Sequence, residues 1–302
     1  MNKKTVWLFT GGFPYSYGET HIESEILTLS KEFEKIYLIP PVNFKKQTTR
    51  VLPSNTEVII LADQFNENKK SLFFSNFFFI LKTLIVEFVK TQNKKSFLCY
   101  FREFSNLFLQ RIAEAEQLQH LITSKGDTNY AVFYSYWFSD WATVMGIVKH
   151  RGVIPSFVSR AHRFDVYEHL TSKKIIPFRQ FQLKMIDKVL TDSQKAADFM
   201  IKNTSYPSKI SCSYYGSVDY GLNPFNENDV FRIVSCSILI PRKRVHLIIE
   251  TLKQINFPVE WIHFGDGELM EDLKKLAMEL PNNITVDFKG QVSNTDVLNY
   301  YK

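Results

Sequence analysis

Residues 231–268 read FRIVSCSILIPRKRVHLIIETLKQINFPVEWIHFGDGE. Phe231 to Cys236 is apolar enough for a buried strand, and Val245, Ile248, Ile249 and Leu252 then fall at i, i+3, i+4 and i+7, one apolar helical stripe. Val259 to Phe264 is a second strand, so a βαβ unit and a parallel sheet are predicted. Between strand and helix, Arg242, Lys243 and Arg244 place three cations where the unpaired amides of a helix N-terminus would meet an anion such as a phosphate. The alternative is a solvated basic face. The second strand ends in Gly265-Asp266-Gly267-Glu268, where small residues let the backbone bend and approach a ligand at the carboxyl edge of the sheet.

The amino-terminal end repeats the pattern. Thr5 to Phe9 is a strand, and the loop GGFPYSYGET leads to a helix near Thr20 with Ile22, Ile26, Leu29 and Phe33 at helical spacing. Glu19, Glu23 and Glu25 crowd its start, where carboxylates favour the helix dipole. Ile36 to Ile39 is the next strand. Gly11 and Gly12 are candidates for close backbone approach to a ligand, against the ordinary reading of a Gly-Gly turn. No G-x-G-x-x-G spacing occurs, which counts against a nicotinamide dehydrogenase. Further strands are expected at Val58–Leu61, Tyr130–Tyr134, Phe157–Arg160, Lys188–Thr191 and Ile210–Tyr215, with Asp192-Ser193 as a helix cap.

With 302 residues, 45% hydrophobic and 23% charged, the chain has the composition of a two-domain globular protein. Its net charge of +6 asks for an anionic partner, but no nucleic-acid-binding motif accompanies that charge. The cysteines, Cys99, Cys212 and Cys236, are widely spaced and form no metal-type pair, so a reducing, cytoplasmic compartment is expected. Between Phe65 and Ile112, phenylalanines are interleaved with lysines and arginines. Lys82 and Glu87 interrupt the apolar run, so an interfacial helix on an anionic membrane is one reading of residues 65–112, and the core of a helical insertion at about 65–121 is the other. The turn-rich YGLNPFNEND, residues 220–229, is the expected linker, giving domains 1–221 and 222–302.

Phe157 to Arg160 delivers Arg160-Ala161-His162-Arg163-Phe164-Asp165-Val166-Tyr167 to the carboxyl edge of the first sheet. Together with S-x-x-x-P-x-K-R (Ser237 to Arg244), the helix and G-D-G-E, this segment resembles glycosyltransferase family 4, within the GT-B glycosyltransferases, and is similar to enzymes of surface polysaccharide synthesis. The resemblance implies an α/β GT-B fold of two facing Rossmann-like domains, the second incomplete. It implies retaining, metal-independent transfer from a nucleotide-sugar to a glycan or lipid-linked acceptor, with no cofactor. It further implies His162 beside the reacting sugar, Asp165 orienting it or capping the next helix, and Lys243, helped by Arg242, on the donor diphosphate. Gly11, Gly12, Gly265, Gly267, Glu268 and Ser193 complete the candidate donor contacts.

The sequence departs from that pattern in two places. Ile238 stands where most members carry an arginine five residues before the lysine. The glutamate pair that such enzymes place later in the second domain would lie beyond Lys302. A truncated gene, a fragment or a completing partner chain accounts for the second departure. A catalytically silent remnant that binds membrane is therefore the alternative function.

Overall fold

The fold follows from short apolar runs alternating with amphipathic ones, and the central strands of the first sheet are buried on both faces. The computed structural model describes residues 5–15, 18–41, 50–61, 69–90, 97–126, 128, 130–171, 175–216, 219, 221–222 and 230–301. The chain divides into two compact units, Met1–Ser217 and Val218–Lys302. The stretch expected as linker lies mostly outside the described residues.

In the first unit, β1 (Thr5–Phe9), β2 (Lys35–Ile39), β3 (Thr56–Val58), β4 (Ala131–Ser135), β5 (Val158–Ala161), β6 (Lys188–Thr191) and β7 (Ile210–Cys212) form one sheet. Its order among the described residues is β3-β2-β1-β4-β5-β6-β7, every pairing parallel. Central β1 sets the register: Thr5 lies opposite Lys35 on one side and Ala131 on the other. The two-residue period of a strand sends Val6 and Leu8 into one core, with Ile22 and Ile26 of α1 (Thr20–Glu32). Trp7 and Phe9 point into the opposite core.

That second core is the larger, and the phenylalanine-rich segment builds much of it. This segment folds as α2 (Lys69–Ser75), α3 (Phe77–Lys90) and α4 (Phe97–Lys125). On α4, Tyr100, Phe104, Phe108, Ile112 and Ala115 are buried at three- and four-residue spacing, a stripe that packs on α5 (Asp140–His150). Each buried phenylalanine contributes roughly 1.5–3 kcal/mol of transfer free energy, so the stripe fixes the helical layer to the sheet. The outward faces of α2 and α3 carry large apolar side chains among lysines, with Phe74 76% and Phe78 82% exposed. No single described helix is long and apolar enough to cross a membrane. The pair α2 and α3 passes on length and composition but is bent by 73°. The layer continues through α6 (Arg163–Val166), α7 (Arg179–Met185) and α8 (Gln194–Lys202).

The second unit has β8 (Phe231–Cys236), α9 (His246–Leu252), β9 (Val259–Phe264), α10 (Met270–Ala277), β10 (Ile284–Gly290) and α11 (Asn294–Tyr300). Its strands pair in parallel in the order β10-β9-β8 around Trp261, Ile249, Leu252 and Leu273.

Several boundaries differ from expectation. The strand read at Val58–Leu61 is β3, because the Pro53–Thr56 turn brings Thr56, not Val58, opposite Ile36. The strand read to Tyr215 stops at Cys212, where pairing with β6 ends.

Glu87 is buried in α3 beneath this layer, its carboxylate accepting from the Phe181 N–H at 2.6 Å. Burial pushes its pKa from 4.5 up to about 7. The folded state therefore holds this proton more tightly than the unfolded chain. The associated stability is complete below pH 4.5 and is lost as pH rises through about 7. Glu87→Gln, which keeps the acceptor and removes the charge, is expected to flatten that decline and to gain about 2 kcal/mol above neutrality. Urea denaturation at a series of pH values measures it, and parallel pH profiles for the two proteins would refute the assignment.

Candidate functional site

The carboxyl ends of β1, β4 and β5 converge on a set of aromatic rings around His162. The polypeptide leaves β1 through Thr10-Gly11-Gly12-Phe13, and Glu19, just before α1, folds its carboxylate back under this loop. It accepts from the Gly11 N–H at 2.7 Å, from the Phe13 N–H at 2.6 Å and from the Trp137 indole N–H. Glu19 adopts φ 58°, a left-handed conformation that aims the side chain at the loop. Gly11 is needed for the close approach: a Cβ there would lie 2.9 Å from Trp137 Nε1 and 3.0 Å from Glu19 Oε1. Trp141 adds an indole N–H to the Thr10 carbonyl at 3.0 Å.

Trp137 in turn packs on His162, ring centroids 4.3 Å apart, with Tyr136 at 5.1 Å and Tyr215 at 5.8 Å. His162 follows β5 directly and caps α6, where its backbone N–H donates to Asp165 Oδ2 at 3.1 Å. Its Nδ1 stands 3.5 Å from the same oxygen without hydrogen-bond geometry, and neither ring nitrogen has a hydrogen-bond partner among the described residues. Asp165 thus holds the His162 backbone and starts α6, while the imidazole edge is left unsatisfied.

Behind this ring lie two buried arginines. Arg160 donates from Nε to the Tyr134 hydroxyl at 3.0 Å and from Nη1 to the Ser213 carbonyl at 2.7 Å. The Tyr134 hydroxyl donates in turn to Glu25 Oε1 at 2.7 Å, and burial pushes its pKa far up. Arg179, the first residue of α7, donates to the carbonyls of Phe138 at 2.9 Å and Asp165 at 2.7 Å. Burial lowers its pKa to about 10. Arg179 thereby ties the loop after β4 to the loop after β5. Ser193 caps α8, accepting from the Ala196 N–H at 3.4 Å.

In the second unit, Gly265 and Gly267 fit against the backbone of the loop leaving β8. A Cβ on Gly265, at φ 127°, would come within 2.0 Å of the Ser237 carbonyl oxygen, and one on Gly267 within 2.5 Å of that of Leu239. Leu239 N–H donates to the Asp266 carbonyl at 3.0 Å, and Leu269 N–H returns to the Leu239 carbonyl at 3.1 Å. His263, lowered in pKa by burial, lies between Ser235 Oγ at 2.8 Å and the Ser237 carbonyl at 3.1 Å.

The cationic loop differs from its expected form. Pro241–Lys243 make a 3-10 turn and Arg244 takes φ 54°, so α9 starts only at His246. The amides expected to be unpaired at Lys243 and Arg244 instead donate to the carbonyls of Ile240 at 2.9 Å and Pro241 at 3.2 Å. The side chains of Arg242, Lys243 and Glu268 are exposed. Lys243 reaches the carboxyl end of β8: burial raises the Cys236 thiol pKa, and the Lys243 charge opposes that rise.

Of the residues singled out from sequence, the structure brings Gly11 and His162 together through Trp137, and Gly265 and Gly267 together through residues 237–239. Sequence reasoning missed Trp137, Tyr136 and Tyr215 and read Glu19 only as a helix-dipole carboxylate. The one available signal for Trp137 was its place directly after a strand end. No group of three or more His, Cys, Asp or Glu among the described residues is placed to hold a metal ion.

The two α/β units, each built on a parallel sheet, have the GT-B fold, as their match to solved structures shows. No family model and no curated protein matches the sequence. Solved structures do match. WaaB, a lipopolysaccharide outer core galactosyltransferase in its apo form, aligns with a TM-score of 0.61 and 12% identity over 99% of this chain and 71% of its own. Anabaena HepE, solved with UDP and glucose, aligns with a TM-score of 0.56 and 13% identity over 98% of this chain and 71% of its own. TarM aligns with a TM-score of 0.58 and 10% identity over 97% of this chain and 77% of its own.

Glu19→Ala removes the acceptor of three donors at once, and charge-assisted bonds contribute roughly 1.5–3 kcal/mol each before compensation by water. The variant is expected to lose about 2 kcal/mol of stability and to shift the Trp137 emission to longer wavelength. Denaturant titration and fluorescence check this, and unchanged emission would refute the latch.

Proposed function

We propose that the chain transfers a sugar from a nucleotide-sugar donor to a glycan or lipid-linked acceptor in cell-surface polysaccharide synthesis, as family 4 enzymes do. The observation that carries this reading is an imidazole at a strand's carboxyl end, confined by aromatic rings and with no hydrogen bond to either ring nitrogen among the described residues, in a GT-B fold. His162 would meet the reacting sugar, held in place by Asp165 and Trp137. Lys243, with Arg242, would oppose the charge that develops on the departing diphosphate, a fixed electrostatic contribution of up to several kcal/mol. Gly11 and Gly12 would shape the donor-facing loop, with Gly265, Gly267, Glu268 and Ser193 as further donor contacts. WaaB is named a galactosyltransferase, and HepE was solved with UDP and with UDP-glucose, which supports a nucleotide-sugar as donor.

The test uses the whole chain and a panel of nucleoside diphosphates and their sugars. Lys243→Ala is expected to weaken diphosphate binding roughly tenfold by calorimetry, about 1.4 kcal/mol. His162→Ala is expected to keep that binding and to lower sugar transfer about a hundredfold. Undiminished affinity in the lysine variant removes its role, and undiminished turnover in the histidine variant removes that of the imidazole.

A second reading, a membrane-associated binding protein at the inner face of the cell membrane, is favoured by the exposed apolar face of α2 and α3 with Phe74, Phe78, Ile85 and Val89. Co-sedimentation with anionic vesicles at low salt is expected, reduced severalfold by Phe74→Ser/Phe78→Ser and by raised salt. Failure of the parent protein to sediment overturns it.

A further inference from the structure

A groove runs between α3 and α7, on the helical layer, and belongs to neither sheet edge. Its volume is about 560 Å³, within the range of small-molecule sites. One wall is the α3 stripe Phe78, Phe79, Lys82, Thr83, Val86, Glu87 and Lys90, residues that recur at helical spacing over about 18 Å of helix. The other is Gln180, Phe181, Lys184 and Met185 of α7, closed at one end by His150 and Tyr206. Phe79 stacks on His150 at 4.8 Å, interplanar angle 4°, and meets Phe181 edge-on at 5.8 Å, which fixes the floor at that end.

The charges lining this apolar channel are unbalanced. Lys82, Lys90 and Lys184 are all exposed and none makes an ion pair among the described residues. The single lining acid, Glu87, is buried below and bound to the Phe181 N–H. At the closed end the positive field is felt by His150, whose pKa is lowered by burial and then by Lys184, Lys82 and Arg151. An elongated apolar trough with unpaired ammonium groups beside one end complements a hydrocarbon chain with an anionic head.

We infer that this groove binds a single-chain lipid phosphate, its hydrocarbon along Phe79, Val86, Phe181 and Met185 and its phosphate between Lys82 and Lys184. Lysine meets phosphate as a compact point charge with rotatable donors, suited to an exposed rim. The site is independent of the proposed sugar transfer, since none of its residues lies in the loops after β1, β4, β5 or β8.

Calorimetry of the full chain with dodecyl phosphate, kept below its micelle concentration, tests the assignment. Saturable binding at one site is expected. Val86→Trp, which fills the trough from an exposed position, and Lys82→Glu/Lys184→Glu, which reverses the rim charge, are each expected to weaken it at least tenfold. Dodecyl maltoside, with the same chain and no charge, is expected to bind at least tenfold more weakly, and inorganic phosphate to give no saturable heat. Competition by phosphatidylglycerol vesicles would identify the chain as a bilayer lipid, and its absence a free lipid phosphate. No saturable binding of dodecyl phosphate, equal affinity in both folded variants, or equal affinity for the maltoside overturns the inference.

Discussion

The first unit's site depends on one carboxylate. Glu19 gathers two backbone amides from the loop after β1 and the indole of Trp137 from the loop after β4, so two strand ends are fixed to one another by a single acceptor group. The cost is a left-handed backbone at a residue with a side chain, of order 1–3 kcal/mol. Three charge-assisted bonds outweigh it. Without them the loop amides would need water, and the Trp137 ring would have no fixed plane to offer His162. Rigidity at the site therefore begins from a residue that acts on the imidazole through Trp137.

Much of the architecture was legible because it rests on local periodicity. The stripe Val245, Ile248, Ile249 and Leu252, the alternation in β1 and the cap at Ser193 each declare themselves within a few residues. The site was legible only in part. Glu19 looked like a helix-dipole carboxylate because its position before α1 is visible in sequence, whereas Trp137, its partner 118 residues away, is not. The amides around Lys243 were expected to be unpaired because a strand-to-helix junction usually leaves them so. Pro241 starts a 3-10 turn that closes those amides locally, and only φ at Arg244 reveals the break. Likewise, Gly265 and Gly267 were read as sites of ligand approach, and the backbone they approach in the structure is that of residues 237–239.

The phenylalanine-rich segment shows why composition alone left two readings open. The same residue type serves both faces: Phe104 and Phe108 are core, while Phe74 and Phe78 face outward. Helical phase separates them, and phase cannot be assigned until the helix break near Asn76 is known. Placing a carboxylate under this layer, at Glu87, weakens it at alkaline pH but joins α3 to the first turn of α7, which carries Arg179. Arg179 then holds the carbonyl of Asp165, so the helical layer bears on the loop that presents His162.

Two basic side chains, two residues apart, receive opposite treatment at that loop. Arg160 is buried and richly partnered, by Tyr134 and Ser213 through hydrogen bonds and by Glu25 at 3.7 Å. His162 is buried and has rings around it but no partner for either nitrogen. Leaving such a group unsatisfied costs roughly 1–3 kcal/mol, a deficit the fold could have removed with one more hydroxyl, as it did for Arg160. The rings of Trp137, Tyr136 and Tyr215 pack around the imidazole, and the Asp165 carboxylate, 3.5 Å from Nδ1, does not reach hydrogen-bond geometry. A polar ligand arriving at the strand ends recovers that free energy, and this contrast supports His162, rather than Arg160, as the proposed chemical centre of the unit.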